Sequence, residues 1–203
     1  MLQKISTPKN VLDIGSGTYK GRTVIQPYID ENIFKPLSEK NSKITYLDLQ
    51  TGTGIDIVAD VTDKSFSISH KYDLVICTSL LEHVSDLKRT IFNISSTVRD
   101  GGYLIITMPL IFPYHADPID NLCRFKPEEL SNLFSVYSFK TIYDDVSRSK
   151  WSITDWSKLI VHSFIRVFLT KKYSALLFNL NQCLSREWKV SIVLLKRERK
   201  AKR

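Results

Sequence analysis

Short apolar runs alternate with longer mixed segments along the first 150 residues. Runs that are nearly all apolar and separated by helix-like segments are typical of a parallel sheet covered on both faces. Two further strands are predicted over residues 139–146 and 190–196. The pattern therefore predicts a doubly wound α/β domain with a mostly parallel seven-stranded sheet. The first five strands are NVLDI (10–14), ITYLDL (44–49), IDIVAD (55–60), YDLVICT (72–78) and GYLIITMP (102–109).

Two segments between the strands have helical patterns. Residues 85–98 carry apolar side chains at 87, 91, 94 and 98, with Ser85 as the expected N-cap and glycines just past the end. A longer amphipathic pattern fills residues 150–185, before the last strand. We therefore expect one domain over residues 1–203 that contains a helical insertion at 150–185.

The stretch VLDIGSGTYKGR (11–22) joins the first strand to a glycine-rich turn. Gly15 and Gly17 follow a strand that ends at Asp13, so a ligand can approach the backbone closely. A dinucleotide fingerprint needs a third glycine where the chain has lysine, and Asp13 would repel a pyrophosphate. A nucleoside with a cationic tail would instead be attracted by Asp13. Asp48 and Asp60 end the next two strands, where they could bind a ribose diol and an adenine amino group.

These motifs resemble the class I S-adenosylmethionine-dependent methyltransferases, in particular the methyltransferase type 11 group. The similar stretches cover most of residues 10–146 and include YLDLQ (46–50), IVADVTD (57–63), YDLVICTSLLEHVSD (72–86) and GGYLIITMPL (101–110). The resemblance implies a Rossmann-like fold, methyl transfer and S-adenosyl-L-methionine as cofactor. It implies that the methionine part of the cofactor is surrounded by Asp13, Gly15, Ser16 and Gly17. Asp48 and Leu49 would contact the ribose, and Asp60 and Val61 the adenine. Cys77 and Thr78 would lie beside the cofactor.

The loop after the fifth strand, PLIFPYHADPIDNLCRF, should carry the acceptor side of the site. His115 is the predicted catalytic base, because imidazole titrates near neutral pH; alternatively, it orders the loop by bonding a carbonyl. Tyr114 is expected to line the pocket or to pack. Asp117 and Asp120 with His115 match no standard metal spacing, so no metal is expected. Arg124 is expected to pair with Asp120 or to clamp an anionic substrate.

Two adjacent polar residues, Glu82 and His83, follow the fourth strand. In the resembling family a Glu-His-Val turn mainly shapes the corner between strand and helix, so a catalytic role is not expected here. Cys77 is not expected to be a nucleophile, because the cofactor needs no covalent help.

The net charge of +8 is concentrated near the C-terminus. Residues 151–203 contain 12 basic and 3 acidic side chains, and the tail 196–203 is strongly basic. Such asymmetry favours an anionic neighbour, a membrane surface or nucleic acid, although a solvated tail is the alternative. The insertion is interpreted as a lid over the cofactor or as a membrane-interfacial helix through residues 151–180. His162 and Arg166 disfavour a membrane span.

The sequence thus predicts a methyltransferase acting on a small molecule or a glycan, with a lipid-linked acceptor as an extension of this prediction. The three widely spaced cysteines and the absence of a signal-like start predict a cytoplasmic protein, with peripheral contact at the inner face of the membrane as an extension. The alternatives are a non-catalytic cofactor-binding module and an RNA-directed methyltransferase. Nucleic acid is the less expected partner, because no RNA-modifying motif is present. The oligomeric state is not predicted.

Overall fold

The structure, a computed structural model, describes residues 1–115, 119–150 and 187–199. A seven-stranded sheet forms its centre, in the order β3-β2-β1-β4-β5-β7-β6. The strands β1 to β5 are parallel, whereas β7 runs antiparallel to both β5 and β6. This arrangement confirms the predicted doubly wound, mostly parallel sheet. The strands are β1 (Asn10–Ile14), β2 (Lys43–Asp48), β3 (Ile57–Val58), β4 (Tyr72–Thr78), β5 (Val98–Ile111), β6 (Phe139–Lys150) and β7 (Glu187–Arg197).

Short helical segments connect the strands. A broken helical run joins β1 to β2. A 3₁₀ turn and a longer helix join β4 to β5, and a further helix precedes β6. A further 3₁₀ turn, Leu2–Lys4, precedes β1. The run after β1 consists of a π-helical turn Gly21–Ile25, α1 (Pro27–Ile29), a second π-helical turn Asp30–Phe34 and α2 (Lys35–Ser38); the later elements are the 3₁₀ turn Leu81–His83, α3 (Leu87–Thr97) and α4 (Pro127–Ser135).

Each face of the sheet packs against its own apolar cluster. On one face Leu12 and Val75 pack with residues of α3 and α4, among them Ile94 and Phe134. The opposite face packs Val11, Leu74 and Ile76 against Phe34 and Leu37 of the helical run after β1. Alternate residues of one strand therefore enter different clusters, as expected for a sheet that is buried on both sides.

Three local predictions differ from the structure. The N-cap of α3 is Asp86 and not Ser85, because the Asp86 side chain accepts a hydrogen bond from the Arg89 amide. Asp60 does not end a strand: β3 is a short edge strand that pairs with β2 only at Ile57 and Val58.

The last two strands are longer than predicted: β6 continues to Lys150, and β7 begins at Glu187 and ends at Arg197. The predicted helical insertion at 150–185 lies, apart from Lys150, outside the described residues, as do residues 200–203 of the basic tail. In the part of the chain that the structure describes, no helix is long and apolar enough to cross a membrane.

Candidate active site

The strand order reverses at β1, which lies between β2 and β4. In doubly wound sheets ligands bind at the carboxyl ends of the strands beside such a reversal. The turn after β1 has left-handed backbone at Gly15 (φ +75°) and Gly17 (φ +63°), a conformation that glycine adopts without strain. A Cβ at Gly15 would lie 3.2 Å from Leu80 Cδ1, whereas the space beside Gly17 is open. The turn therefore brings backbone to the edge of the crevice.

Asp13 lies on β1 just before this turn and is buried, with 5% of its surface exposed. Burial raises the pKa of this carboxyl to about 7; the Arg22 guanidinium opposes the effect and the nearby Asp48 adds to it. The electrostatic interaction with Asp48 is the expected consequence of two neighbouring parallel strands that end at the same edge. A buried acid in this state favours a cationic ligand, which would stabilise its ionised form.

Arg22 is a site residue that the sequence analysis missed. Its side chain is 4% exposed and its Cζ lies 3.7 Å from the centroid of the Tyr46 ring. Its guanidinium donates hydrogen bonds to the carbonyl oxygens of Gly17 (2.5 Å) and Gly54 (2.9 Å). Arg22 therefore ties the glycine turn to the loop after β2. Position 22 lies in the quoted glycine-rich stretch, but no sequence signal distinguishes it from an exposed arginine.

Asp48 and Asp60 have different surroundings. Asp48 accepts hydrogen bonds from the amides of Gly17 (2.8 Å) and Gln50 (3.0 Å), so it already holds the glycine turn. Asp60 accepts from the amide and the hydroxyl of Thr62, both at 2.7 Å, and thus caps its own turn. A carboxylate can accept about four hydrogen bonds, so both acids retain acceptor capacity for a ligand.

The remaining predicted cofactor-binding residues are apolar or small, and they lie both at the surface and in the core. Leu49 is 61% exposed beside Asp48, whereas Val61 (6%) and Cys77 (0%) belong to the core cluster. Burial raises the pKa of the Cys77 thiol, which disfavours the thiolate form that a nucleophile needs. Ser16 is nearly buried and its amide donates to Leu47 O. Thr78 is half-buried at the carboxyl end of β4.

The loop after β5 is organised by Asp120. Its carboxylate accepts two hydrogen bonds from Arg124 (2.8 and 3.1 Å) and one from the His115 amide (3.1 Å). The predicted pairing of Arg124 with Asp120 is thus confirmed. His115 Nδ1 contacts Pro113 O at 3.0 Å, and Tyr114 between them is half-buried.

The structure places His115 next to the turn after β4. The rings of His83 and His115 lie 4.8 Å apart in an edge-to-face arrangement. Asn121 holds the two segments together. Its backbone amide donates to Glu82 O, and its side-chain Nδ2 donates to Leu81 O and Val84 O. The sequence did not indicate this proximity, because it arises from the docking of two loops that follow different strands.

The chemistry of the crevice fits the cofactor implied by the resemblance. S-adenosylmethionine carries an ammonium and a sulfonium group, and Asp13 offers a buried carboxylate at the glycine turn. The open space beside Gly17 admits a ligand, and the exposed Leu49 next to Asp48 offers an apolar surface for a nucleoside.

Comparisons with known proteins agree with this fit. A family model described as a methyltransferase domain matches residues 1–146. The reducing polyketide synthase ppsB of Aspergillus oryzae is 40% identical over 52 residues, which are 26% of this chain and 2% of the synthase. The hybrid PKS-NRPS synthetase xenE of Xenoacremonium sinensis is 35% identical over 77 residues, 38% of this chain and 2% of the synthetase. The chain thus spans only a few per cent of these curated relatives.

Solved structures share the fold at low sequence identity. Coclaurine N-methyltransferase bound to N-methylheliamine and SAH has a TM-score of 0.55 at 16% identity, over 96% of this chain and 69% of that one. The Burkholderia thailandensis 1,6-didemethyltoxoflavin-N1-methyltransferase has a TM-score of 0.54 at 13% identity, over 94% and 72% of the chains. The glycine turn, the strand order and the family match have one explanation: this chain belongs to the class I S-adenosylmethionine-dependent methyltransferases.

Proposed function

We propose that this methyltransferase acts on a small-molecule acceptor that binds at the carboxyl ends of β4 and β5. The observation that carries the proposal is a group of rings at this edge of the sheet. Phe112 lies 4.9 Å from His115 and 4.4 Å from Trp188, measured between ring centroids, and His115 in turn contacts His83. Such a group offers a flat, partly apolar surface with imidazole nitrogens at its edge, which suits a small ring-shaped acceptor.

We propose that the cofactor lies across the ends of β1, β2 and β4. Asp13 would bind the ammonium group, and the glycine turn held by Arg22 and Asp48 would follow the methionine part. The exposed Leu49 and the remaining acceptor capacity of Asp48 support a ribose site there. The complete proposed set is Asp13, Gly15, Ser16, Gly17, Asp48, Leu49, Asp60, Val61, Cys77 and Thr78; the buried Cys77 and Val61 would contribute backbone contacts.

We propose His115 and Tyr114 as the catalytic residues on the acceptor side. The bound cofactor supplies an electrophilic methyl group, so the protein must align the acceptor atom and exclude water. A carbonyl oxygen only accepts hydrogen bonds, so the contact with Pro113 O assigns the proton of His115 to Nδ1 and a lone pair to Nε2. That Nε2 lone pair can accept a hydrogen bond from the acceptor hydroxyl or amine, or it can bind a cation that holds the acceptor. Tyr114 would bound the same space.

The acceptor class beyond a small molecule is a further part of the proposal. Coclaurine N-methyltransferase binds N-methylheliamine in its structure, and the Burkholderia thailandensis enzyme binds 1,6-didemethyltoxoflavin, which supports a small molecule here. A glycan acceptor in lipid-linked form would use residues 151–180 and the basic tail for peripheral membrane contact. Those segments lie almost wholly outside the described residues, so this version depends on the sequence pattern alone.

The test is transfer of label from isotopically labelled S-adenosylmethionine. Four acceptor pools are compared: small phenols and amines, sugars and nucleotide sugars, lipid-linked glycans in vesicles, and RNA. We expect transfer to one of the two small-molecule pools, either the phenols and amines or the sugars and nucleotide sugars. His115→Gln should lower kcat by about a hundredfold or more while it leaves affinity for S-adenosylhomocysteine unchanged. His70→Gln is the matched control, because His70 is exposed.

Two outcomes would overturn the proposal. Cofactor binding without transfer to any pool would identify a non-catalytic module. Transfer to RNA with a steep salt dependence would identify an RNA-directed enzyme instead.

A further inference from the structure

Glu82, His83 and His115 form a cluster outside the proposed set of cofactor-binding residues. Glu82 and His83 belong to the 3₁₀ turn after β4, and His115 follows β5. One ligand atom from each residue lies within 4.8 Å of the other two. Two imidazoles and a carboxylate are ligands that zinc and related divalent transition metals accept. The set differs from the combination of Asp117, Asp120 and His115, whose spacing matches no standard metal site.

The Glu82 side chain is the most unusual member of this cluster. It is fully buried, and neither carboxylate oxygen has a hydrogen-bond partner in the part of the chain that the structure describes. The His83 Nε2 atom lies 3.8 Å from Glu82 Oε1, beyond hydrogen-bond distance. Buried carboxylates in folded proteins are almost always hydrogen-bonded, paired or metal-bound. A cation between Glu82 and the two histidines would supply the missing partner.

Both imidazoles are oriented in the way that metal ligands commonly are. His83 Nδ1 contacts Ile119 O at 2.6 Å, and His115 Nδ1 contacts Pro113 O at 3.0 Å. Each contact assigns a proton to Nδ1 and leaves the lone pair on Nε2. In metal sites the second nitrogen of a histidine ligand usually donates to a carbonyl or a carboxylate, which fixes the ring and its tautomer. Here both rings are fixed without a metal.

The charges around the cluster leave room for a cation. The Asp120 carboxylate lies 3.5 Å from His115 Nδ1, but Arg124 neutralises it through a 2.8 Å ion pair in which both side chains are nearly buried. Among the described residues, Glu82 therefore has no cationic side chain within hydrogen-bond distance. A divalent ion on Glu82 would leave one positive charge, which an anionic acceptor atom or hydroxide could balance.

We propose that Glu82, His83 and His115 bind a divalent transition metal ion of the zinc type. The site lies at the carboxyl ends of β4 and β5, beside the proposed acceptor surface. Three protein ligands leave one position of a tetrahedral ion open, as in catalytic rather than structural zinc sites. An acceptor oxygen or nitrogen would occupy that position. The inference goes beyond the proposed function and departs from the expectation of no metal.

The first experiment needs no variant. Tag-free protein of residues 1–203 is treated with chelator, dialysed, and titrated with Zn²⁺ by calorimetry and with Co²⁺ by visible absorption. We expect one ion per chain and a Co²⁺ spectrum of nitrogen and oxygen ligands without thiolate bands. Absence of stoichiometric binding, or thiolate bands from any of the three cysteines, would overturn the proposal.

Variants then locate the ion. Glu82→Gln keeps the shape of the side chain and removes its charge, and His83→Gln removes an imidazole; each should weaken Zn²⁺ binding at least about tenfold. His70→Gln, outside the cluster, should leave binding unchanged. Equal affinity in all four proteins would refute the assignment. Affinity for S-adenosylhomocysteine, measured on each protein, verifies folding and separates failure of the metal site from failure of the cofactor site.

Discussion

The buried carboxyl of Asp13 leads to a quantitative prediction for cofactor affinity. The ammonium group of the cofactor should bind only the ionised form of Asp13, whose pKa without ligand is raised to about 7. The ionised fraction at pH 5.5 is about one-sixteenth of that at pH 7.0 for a group of this pKa. Affinity for S-adenosylhomocysteine should therefore rise about sixteenfold between these two pH values, with one proton released per ligand at the lower pH.

Calorimetry in two buffers of different ionisation enthalpy measures both the affinity and the released proton. Asp13→Asn should bind more weakly than the wild type at pH 7.0 and show no change between pH 5.5 and 7.0. Asp100→Asn is the control, because Asp100 is half-exposed and pairs only at 3.5 Å with Arg197. A wild-type affinity that does not change over this range would refute the reasoning, and so would an equal change in Asp13→Asn.

Without cofactor, the raised pKa of Asp13 makes the folded protein less stable as pH rises, whereas cofactor affinity increases with pH. The folded protein holds the Asp13 proton more tightly than the unfolded chain, so this contribution is complete below pH 4 and is lost as pH rises through 7. The difference from the ordinary value of 3.8 corresponds to an upper limit of about 4 kcal/mol. Asp13→Asn should therefore raise the free energy of unfolding at pH 8 relative to the wild type and have little effect at pH 4. Urea unfolding at both pH values is the measurement, and a loss of stability in the variant at pH 8 would contradict the assignment.

Three further substitutions test other parts of the site. Gly15→Ala should destabilise the protein by about 1–2 kcal/mol and weaken cofactor binding, because its φ of +75° strains alanine and its Cβ would crowd Leu80; unchanged melting and affinity would contradict this. Arg22→Met should raise the pKa of Asp13 further, because the guanidinium lowers it, so the midpoint of the affinity profile should move above pH 7. Asn121→Ala should cost about 1–3 kcal/mol in urea unfolding and reduce kcat more than cofactor affinity, because two carbonyls lose their donor; equal losses in both parameters would refute its assignment to the acceptor side.

Local pattern in the sequence was sufficient for most of the fold. Apolar runs of five to eight residues with β-branched side chains predict strands wherever they lie, and their centres were correct for β1, β2, β4 and β5. The glycine turn was also predictable, because Gly15 and Gly17 adopt a positive φ, which glycine does without strain. The exact ends were less determined: β3 is short because the edge of the sheet offers pairing on one side only.

Only the tertiary structure could decide the electrostatic state of the site. The sequence identifies Asp13 as an acid after a strand, but its raised pKa depends on burial between β2 and β4 and on the distance to Arg22. Burial is a property of all the surrounding side chains together, so a short stretch cannot determine it. For the same reason Arg22, which is buried and bonded to Gly17 and Gly54, was not found from the sequence.

The contrast is sharpest at the acceptor side. From the sequence His115 lies 32 positions after His83, and nothing in the intervening residues indicates that their rings come within 4.8 Å. Parallel strands β4 and β5 place their carboxyl ends side by side, and Asn121 then fixes one loop on the other. The sequence by itself determined which strands exist and which residue types follow them. The sheet decided which of those residues meet, because strand order is a long-range property that arises only when the chain folds.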